Sequence, residues 1–174
     1  VIIGGLRCGA SVHQDPKASG AWNHLLFGRK RWCFFPPTVT ADVLWGASQN
    51  AASGYREVPS SYWWLDNYPC LRERAAELGM LEVLQEPGDT LYVPPGWWHA
   101  VWNLPDRSRG EALTVCLTQN AVTPAMLRSC PYCWRTLSTY PFAAELAELI
   151  NGAWPELDIA APVETSVDSA EDNE

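Results

Sequence analysis

The sequence has little that would mark a membrane protein or a small secreted protein. Pro, Gly and charged residues interrupt every apolar run well before the about 20 residues that a membrane span requires. Six cysteines in 174 residues are too sparse and too irregularly spaced for a disulfide framework. No internal repeat is visible. We therefore expect a single domain in a reduced intracellular compartment, either the nucleus or the cytoplasm.

Positive charge is also scarce. The net charge is −8, and seven acidic residues without a single Lys or Arg lie in 156–174. Residues 1–155 hold 13 acidic and 12 basic residues and are nearly neutral, so no basic face indicates nucleic-acid binding. We predict a folded domain over 1–155 and an acidic tail over 156–174, disordered from about Pro162. Because the chain opens on Val1 without a leader signature, we expect it to be part of a longer protein.

Short apolar or alternating runs bounded by Gly and Pro dominate the sequence and predict eight strands. Their close spacing favours an antiparallel sandwich or barrel. We expect an insertion at 38–80 with one helix, and two C-terminal helices within 124–151, where Gly152 would stop the second. The predicted strands are Val1–Gly5, Ala10–Gln14, Gly20–Phe27, Lys30–Phe35, Leu81–Gln85, Thr90–Val93, Trp97–Trp102 and Ala112–Gln119, and the predicted helices are Leu71–Leu78, Pro124–Leu137 and Pro141–Ile150.

A candidate metal site begins at the end of the second predicted strand. Residues two apart on a strand point to the same face, so His13 and Asp15 can converge on one point. With His99 they would form a two-histidine, one-carboxylate set, which is typical of non-haem Fe(II) oxygenases. The residues alone leave open a plain alternative, in which His13 and Asp15 are a hydrogen-bonded turn pair and His99 is a half-buried histidine.

A candidate anion site lies on the fourth predicted strand. Lys30 shares a strand face with Trp32 and Phe34. If that face is buried, the ammonium needs an anion, because an unpaired buried charge costs several kcal/mol. The alternative is a solvated basic turn formed by Arg29, Lys30 and Arg31.

Several segments, taken together and in this order, resemble the JmjC family of Fe(II)- and 2-oxoglutarate-dependent oxygenases, most closely its arginine demethylase and lysyl hydroxylase (phosphatidylserine receptor-type) branch. The likeness covers 1–37 and 81–120 well and the insertion poorly. It implies an all-β core in the form of a double-stranded β-helix, the cupin or jelly-roll fold, with a mixed insertion between strands 4 and 5. The segments are Ser11–Pro16, Ala21–Asn23, Gly28–Pro36, Pro87–Pro94, Gly96–His99 and Thr118–Asn120.

The resemblance also implies roles for particular residues. His13, Asp15 and His99 would bind Fe(II), and Lys30 would pair with the distal carboxylate of the cosubstrate 2-oxoglutarate. Asn23 and Thr118 would hydrogen-bond the cosubstrate, with Asn120 as a further candidate. Strand parity places His24 on the opposite face from Asn23, so we do not expect His24 to be a ligand.

The implied activity is oxidative decarboxylation of 2-oxoglutarate coupled to hydroxylation of a protein side chain, which leaves an alcohol or, on an N-methyl group, leads to demethylation. The implied partners are a protein or peptide substrate, with a basic one favoured, and a second copy bound through the C-terminal helices. Two other functions stay open: a catalytically silent cupin that binds a peptide, and a metal-dependent cupin that acts on a small molecule.

Two further features have more than one interpretation. Trp63 and Trp64 could expose an aromatic platform, but a clamp that holds the insertion on the barrel is the favoured interpretation. Cys130 and Cys133 form a lone C-x-x-C, interpreted as free thiols, with an intermolecular zinc clasp as the alternative.

Overall fold

The computed structural model describes residues 1–16, 19–47, 59–105, 113–129 and 142–159. Eight strands form two four-stranded antiparallel sheets, which together make the predicted double-stranded β-helix. Sheet A has the order β1-β8-β3-β6 and sheet B the order β2-β7-β4-β5. Every predicted strand is present, with bounds within two residues of the prediction. The strands are β1 Ile2–Gly5, β2 Gly9–His13, β3 Gly20–Phe27, β4 Arg29–Phe35, β5 Leu81–Gln85, β6 Thr90–Val93, β7 Trp98–Leu104 and β8 Leu113–Ala121.

Strand β4 is buried on both faces from Trp32 to Phe35, which explains the unbroken apolar run in that half of the strand. Trp32 and Phe34 point between the two sheets, together with Lys30. Cys33 and Phe35 point the other way and are fully buried in a second core outside sheet B. One face of β4 therefore lines the interior of the barrel, and the other face packs against the insertion.

Helices of the insertion cover the outer face of sheet B. They are α1 Ala41–Trp45, α2 Ser60–Glu73 and α3 Ala75–Leu78. Trp63 and Trp64 are buried, and the indole N–H of Trp64 donates to the carbonyl of Val101 on β7 at 3.1 Å. Trp64 also packs edge-on against Trp102, with ring centroids 5.4 Å apart. The interpretation of Trp63 and Trp64 as a clamp that holds the insertion on the barrel is confirmed, and their interpretation as an exposed aromatic platform is wrong.

The sequence placed the start of the insertion helix at Leu71, but α2 begins at Ser60. Pro69 lies inside this helix, where a proline removes one backbone hydrogen bond and usually marks a helix end. Burial of the aromatic face of α2 outweighs that loss. The described residues of the insertion are helical rather than mixed.

Among the residues described after the barrel, two segments form α-helices: α4 Pro124–Ser129 and α5 Ala143–Ala153. Gly152 lies inside α5 rather than past its end, because the N–H of Trp154 still bonds to the carbonyl of Ile150 at 2.7 Å. A short 3₁₀ helix, Pro155–Leu157, closes the described region. Cys130, Cys133 and the predicted disordered tail lie outside the described residues. Among the described helices, none is long and apolar enough to cross a membrane.

Candidate active site

A cavity of about 340 Å³ lies between the two sheets, a size within the range of small-molecule sites. Inward-facing residues of both sheets line it, because side chains two apart on each strand share the inner face. It contains every site residue that the resemblance implies: His13, Asp15, Asn23, Lys30, His99, Thr118 and Asn120.

Two neighbouring strands bring the three candidate metal ligands together. His13 is the last residue of β2 and His99 the second residue of β7, and these two residues are register partners. Their ring centroids are 4.2 Å apart. Asp15 follows two residues after His13, and one potential ligand atom from each of the three residues lies within 4.8 Å of the others.

The backbone orients both imidazoles. The Nδ1 atom of His13 is 2.8 Å from the carbonyl of Ser11, and the Nδ1 atom of His99 is 3.1 Å from that of Trp97. A proton on each Nδ1 leaves the Nε2 lone pair free to bind a metal, as is usual for histidine ligands. Burial and the neighbouring His13 lower the pKa of His99 to about 4. His99 is therefore neutral at physiological pH, which is the ligating form.

The contacts of the Asp15 carboxylate show whether a cation fits between the three side chains. Its Oδ1 atom is 4.0 Å from Nε2 of His13 and 3.8 Å from Nε2 of His99, beyond hydrogen-bond distance. Its Oδ2 atom is buried and has no hydrogen-bond partner. A buried carboxylate oxygen without a partner is costly unless an ion completes the site. Two imidazole nitrogens and one carboxylate suit an iron(II) ion with open coordination positions.

The lysine end of the cavity lies away from the triad, because the register partner of Lys30 on β7 is Asn103, four residues beyond His99. Lys30 is 5% exposed, and its Nζ atom is 3.1 Å from Sγ of Cys116. Its neighbours Arg29 and Arg31 point outward and pair with Glu86 and Glu82 at 2.8 Å each. The solvated basic turn is therefore wrong for Lys30, and both arginines lie in strand β4 as partners of glutamates rather than in a turn.

The remaining cosubstrate candidates lie on sheet A. Asn23 is buried, and its amide Nδ2 donates to Sγ of Cys116 at 3.4 Å. The hydroxyl of Thr118 donates to the carbonyl of Trp22 at 2.8 Å, and the amide of Asn120 donates to the Ser19 hydroxyl at 2.9 Å.

His24 lies on the outer face of sheet A, as strand parity predicts. Its Nδ1 atom is 2.8 Å from the hydroxyl of Thr90, and it does not line the cavity.

Three buried polar residues of the site were missed at the sequence level. Gln85 donates to the backbone carbonyl of Asn23 at 2.9 Å and accepts from the Trp32 indole at 2.8 Å. Asn103 lines the cavity and has a buried Oδ1 without a partner. Cys116 accepts from two donors. Strand parity could have found two of them, because Asn103 shares a strand face with His99, and Cys116 shares one with Thr118.

The fold and the site define a double-stranded β-helix protein with a triad of two histidines and one carboxylate that could hold a metal ion. The family described as JmjC domain, hydroxylase, matches residues 1–107. The chain belongs to this family.

Several curated relatives share this similarity. "Lysine-specific demethylase JMJ21" of Arabidopsis thaliana is 44% identical over 124 residues, which cover 70% of this chain and 12% of the relative. "Bifunctional arginine demethylase and lysyl-hydroxylase psr-1" of Caenorhabditis briggsae is 36% identical, with coverage of 68% and 28%. "Arginine-specific demethylase JMJ22" of Arabidopsis thaliana is 32% identical, with coverage of 69% and 22%. The chain thus spans between about an eighth and somewhat over a quarter of the length of these relatives.

Among solved structures, the "Drosophila melanogaster CENP-C cupin domain" matches 68% of this chain and 56% of its own, at 9% identity and a TM-score of 0.39. A similarity this low does not bear on function.

Proposed function

We propose that this chain contains the catalytic domain of an Fe(II)- and 2-oxoglutarate-dependent oxygenase that acts on a protein side chain. One observation carries the proposal. The cavity has a cation-binding triad with an unpartnered carboxylate oxygen at one end and a buried lysine at the other. We assign the domain to residues 1–155 and leave the acidic segment 156–174 outside it.

His13, Asp15 and His99 would hold the iron. Iron(II) bound there would supply the redox chemistry by which O2 oxidatively decarboxylates 2-oxoglutarate and a substrate C–H bond is hydroxylated. Lys30 would bind the distal carboxylate of 2-oxoglutarate, and a charge-assisted hydrogen bond between these groups is strong in a buried site. Asn23 and Thr118 would hydrogen-bond the cosubstrate, and Asn120, which also lines the cavity, is a further candidate.

The walls of the cavity orient the site and exclude water. The rings of Trp32 and Phe34 stack beside His99, with centroid distances of 6.1 Å and 6.2 Å. Both rings are buried, as are Val93 and Val101, which also line the cavity. This packing restricts rotation of the His99 ring and keeps the reacting groups in an apolar enclosure.

We propose a basic protein side chain as substrate. The relatives named as lysine- or arginine-specific demethylases and as a lysyl hydroxylase support this class. The triad serves both outcomes, because hydroxylation of a methylene leaves an alcohol, whereas hydroxylation of an N-methyl carbon leads to loss of formaldehyde.

We further propose a homodimer formed through the C-terminal helices and a nuclear or cytoplasmic location. Leu149 on α5 is 72% exposed, and Phe142, which precedes α5, is 42% exposed. Apolar side chains left at the surface of this helix support its use as a contact between two copies.

The test uses the full-length protein with Fe(II), 2-oxoglutarate and a proteome digest. We expect succinate release that requires both ligands, and peptides that gain one oxygen or lose one methylene. His13→Ala should abolish succinate release, and turnover that survives this change would contradict the assignment.

A binding test separates the oxygenase from a catalytically silent cupin. Ligands selective for the folded state raise the melting temperature. Mn(II) serves as a redox-inert substitute for iron. We expect Mn(II) and 2-oxoglutarate together to raise the melting temperature more than either ligand does alone. Absence of any shift would favour the silent cupin.

A further inference from the structure

Two hydrogen-bond donors at the lysine end of the cavity converge on one buried sulfur atom. Sγ of Cys116 lies 3.1 Å from Nζ of Lys30 and 3.4 Å from Nδ2 of Asn23. Cys116 is fully buried, whereas both donors line the cavity. The sulfur therefore lies beneath the two groups that the proposed function assigns to 2-oxoglutarate.

A second acceptor group lies on the strand next to Lys30. Asn103 is the register partner of Lys30 on the neighbouring strand β7, and its Oδ1 atom is buried without a partner. Directly opposite residues on antiparallel strands have Cβ atoms only about 5 Å apart. An amide oxygen is a better acceptor than a thiol sulfur, yet Nζ is directed to Cys116.

The choice of acceptor decides which sheet the ammonium approaches. Asn103 belongs to sheet B, as Lys30 does, whereas Cys116 belongs to β8 of sheet A. Thr118 lies two residues further along β8, and Asn23 lies on the adjacent strand β3. Contact with Cys116 thus draws the ammonium across the end of the cavity to the other cosubstrate candidates.

We infer that Cys116 is a positioning residue that holds Lys30 and Asn23 together as one anion-binding pair for the distal carboxylate of 2-oxoglutarate. The inference rests on the proposed function. A thiol is suited to this task because it is a weak acceptor. It orders the ammonium without neutralising it, so the charge stays available to the cosubstrate.

The test measures the dissociation constant of 2-oxoglutarate by calorimetry on the full-length protein with Mn(II). Cys116→Ala removes the acceptor that holds the ammonium in place, so we expect about tenfold weaker binding, near the lower end of what a hydrogen bond to a charged group contributes. Cys116→Val is a second variant that fills the volume of the thiol and removes its polarity, and it should show the same loss.

Two further variants separate positioning from packing. Cys116→Ser retains an acceptor and should bind 2-oxoglutarate within about threefold of the wild type. Cys33→Ala is the matched control, because Cys33 is equally buried but lies on the outer side of sheet B, away from the cavity. It should leave the dissociation constant unchanged.

Steady-state succinate release gives an independent measurement. The KM for 2-oxoglutarate should rise in Cys116→Ala, while kcat at saturating 2-oxoglutarate changes little, because the metal ligands are untouched. Wild-type affinity in folded Cys116→Ala and Cys116→Val would overturn the inference alone, as would an equal loss in Cys33→Ala. Failure of the wild-type protein to bind 2-oxoglutarate would overturn the proposed function and this inference with it.

Discussion

The two ends of the cavity satisfy their polar groups in opposite ways. At the triad end, the Oδ2 atom of Asp15 has no partner, and the Nε2 atoms of His13 and His99 lie too far from Oδ1 to hydrogen-bond it. At the lysine end, Lys30 and Asn23 both donate to the sulfur of Cys116. One end thus presents an acceptor without a partner, and the other presents two donors that share one weak, neutral acceptor.

This contrast indicates what the cavity is built to hold. An acceptor-rich end stays costly until a metal ion binds, whereas a lysine that already has an internal partner can be kept in place before any ligand arrives. The cavity is therefore polarised along its length. A ligand that reaches a metal ion at one end and offers a carboxylate at the other matches both ends at once, and 2-oxoglutarate has these features.

The largest expected effect comes from breaking the triad end at Asp15. Asp15→Ala should weaken Mn(II) binding by more than about 100-fold, since loss of mere supporting contacts around metal ligands costs about 10- to 100-fold. The metal-free variant should nevertheless be more stable to urea, by about 1–3 kcal/mol, because a buried unpartnered oxygen is removed. Calorimetry measures the Mn(II) dissociation constant, and urea unfolding measures the stability of the metal-free protein.

This prediction is specific because Asp15→Ala should lower the affinity for Mn(II) but raise the stability of the metal-free protein. Asp15→Asn keeps the shape of the side chain and removes its charge, so it should lose metal affinity as well. A metal-free Asp15→Ala protein that is less stable than the wild type would show that Asp15 holds the fold through its protein contacts rather than awaiting a cation.

The next effect comes from the lysine end. Lys30→Met keeps the apolar stem of the side chain and removes the ammonium, so binding of 2-oxoglutarate should weaken by about 10- to 100-fold, the value of a buried charge-assisted hydrogen bond. Mn(II) affinity in the absence of 2-oxoglutarate should not change. If Lys30→Met weakened binding of 2-oxoglutarate and of Mn(II) equally, the two ends of the cavity would not act separately.

The triad end could be predicted from the sequence because its signals are local or belong to a recognisable motif. His13 and Asp15 lie two residues apart at the end of one predicted strand, and the second histidine follows a Gly-Trp-Trp segment. The strand bounds could be predicted as well, because Gly and Pro bracket each apolar run. Parity also placed Lys30 correctly beside Trp32 and Phe34.

The rest of the lysine end depends on contacts that no local pattern encodes. Cys116 reaches Lys30 across 86 residues, and a buried cysteine in an apolar strand looks like a small core residue. Gln85 stands at the end of a strand whose other residues are exposed, so its burial follows only from how the sheets face each other. The length of α2 was missed for a similar reason, since tertiary burial of its aromatic residues outweighs the proline in its interior.

A smaller effect should come from Gln85, which joins the two sheets beside the lysine end. It contacts Asn23 of sheet A and accepts from the Trp32 indole of sheet B. Gln85→Leu leaves that indole N–H without its acceptor, so the free energy of unfolding should fall by about 1–3 kcal/mol. Urea unfolding measures this change. Gln85→Glu retains an acceptor for Trp32, and if it is no more stable than the leucine variant, the indole bond contributes nothing measurable.

The smallest effect should come from His24, the one histidine whose side chain turns away from the cavity. Its bond to Thr90 lies at the surface, where loss of a neutral hydrogen bond is largely replaced by water. His24→Ala should change the free energy of unfolding by less than about 0.5 kcal/mol and leave Mn(II) affinity as in the wild type. His99→Ala, tested beside it, should lose Mn(II) binding. If His24→Ala and His99→Ala weakened Mn(II) binding equally, metal binding would not be confined to the inner face of the barrel. The arrangement of polar groups in the cavity would then no longer explain where the metal binds.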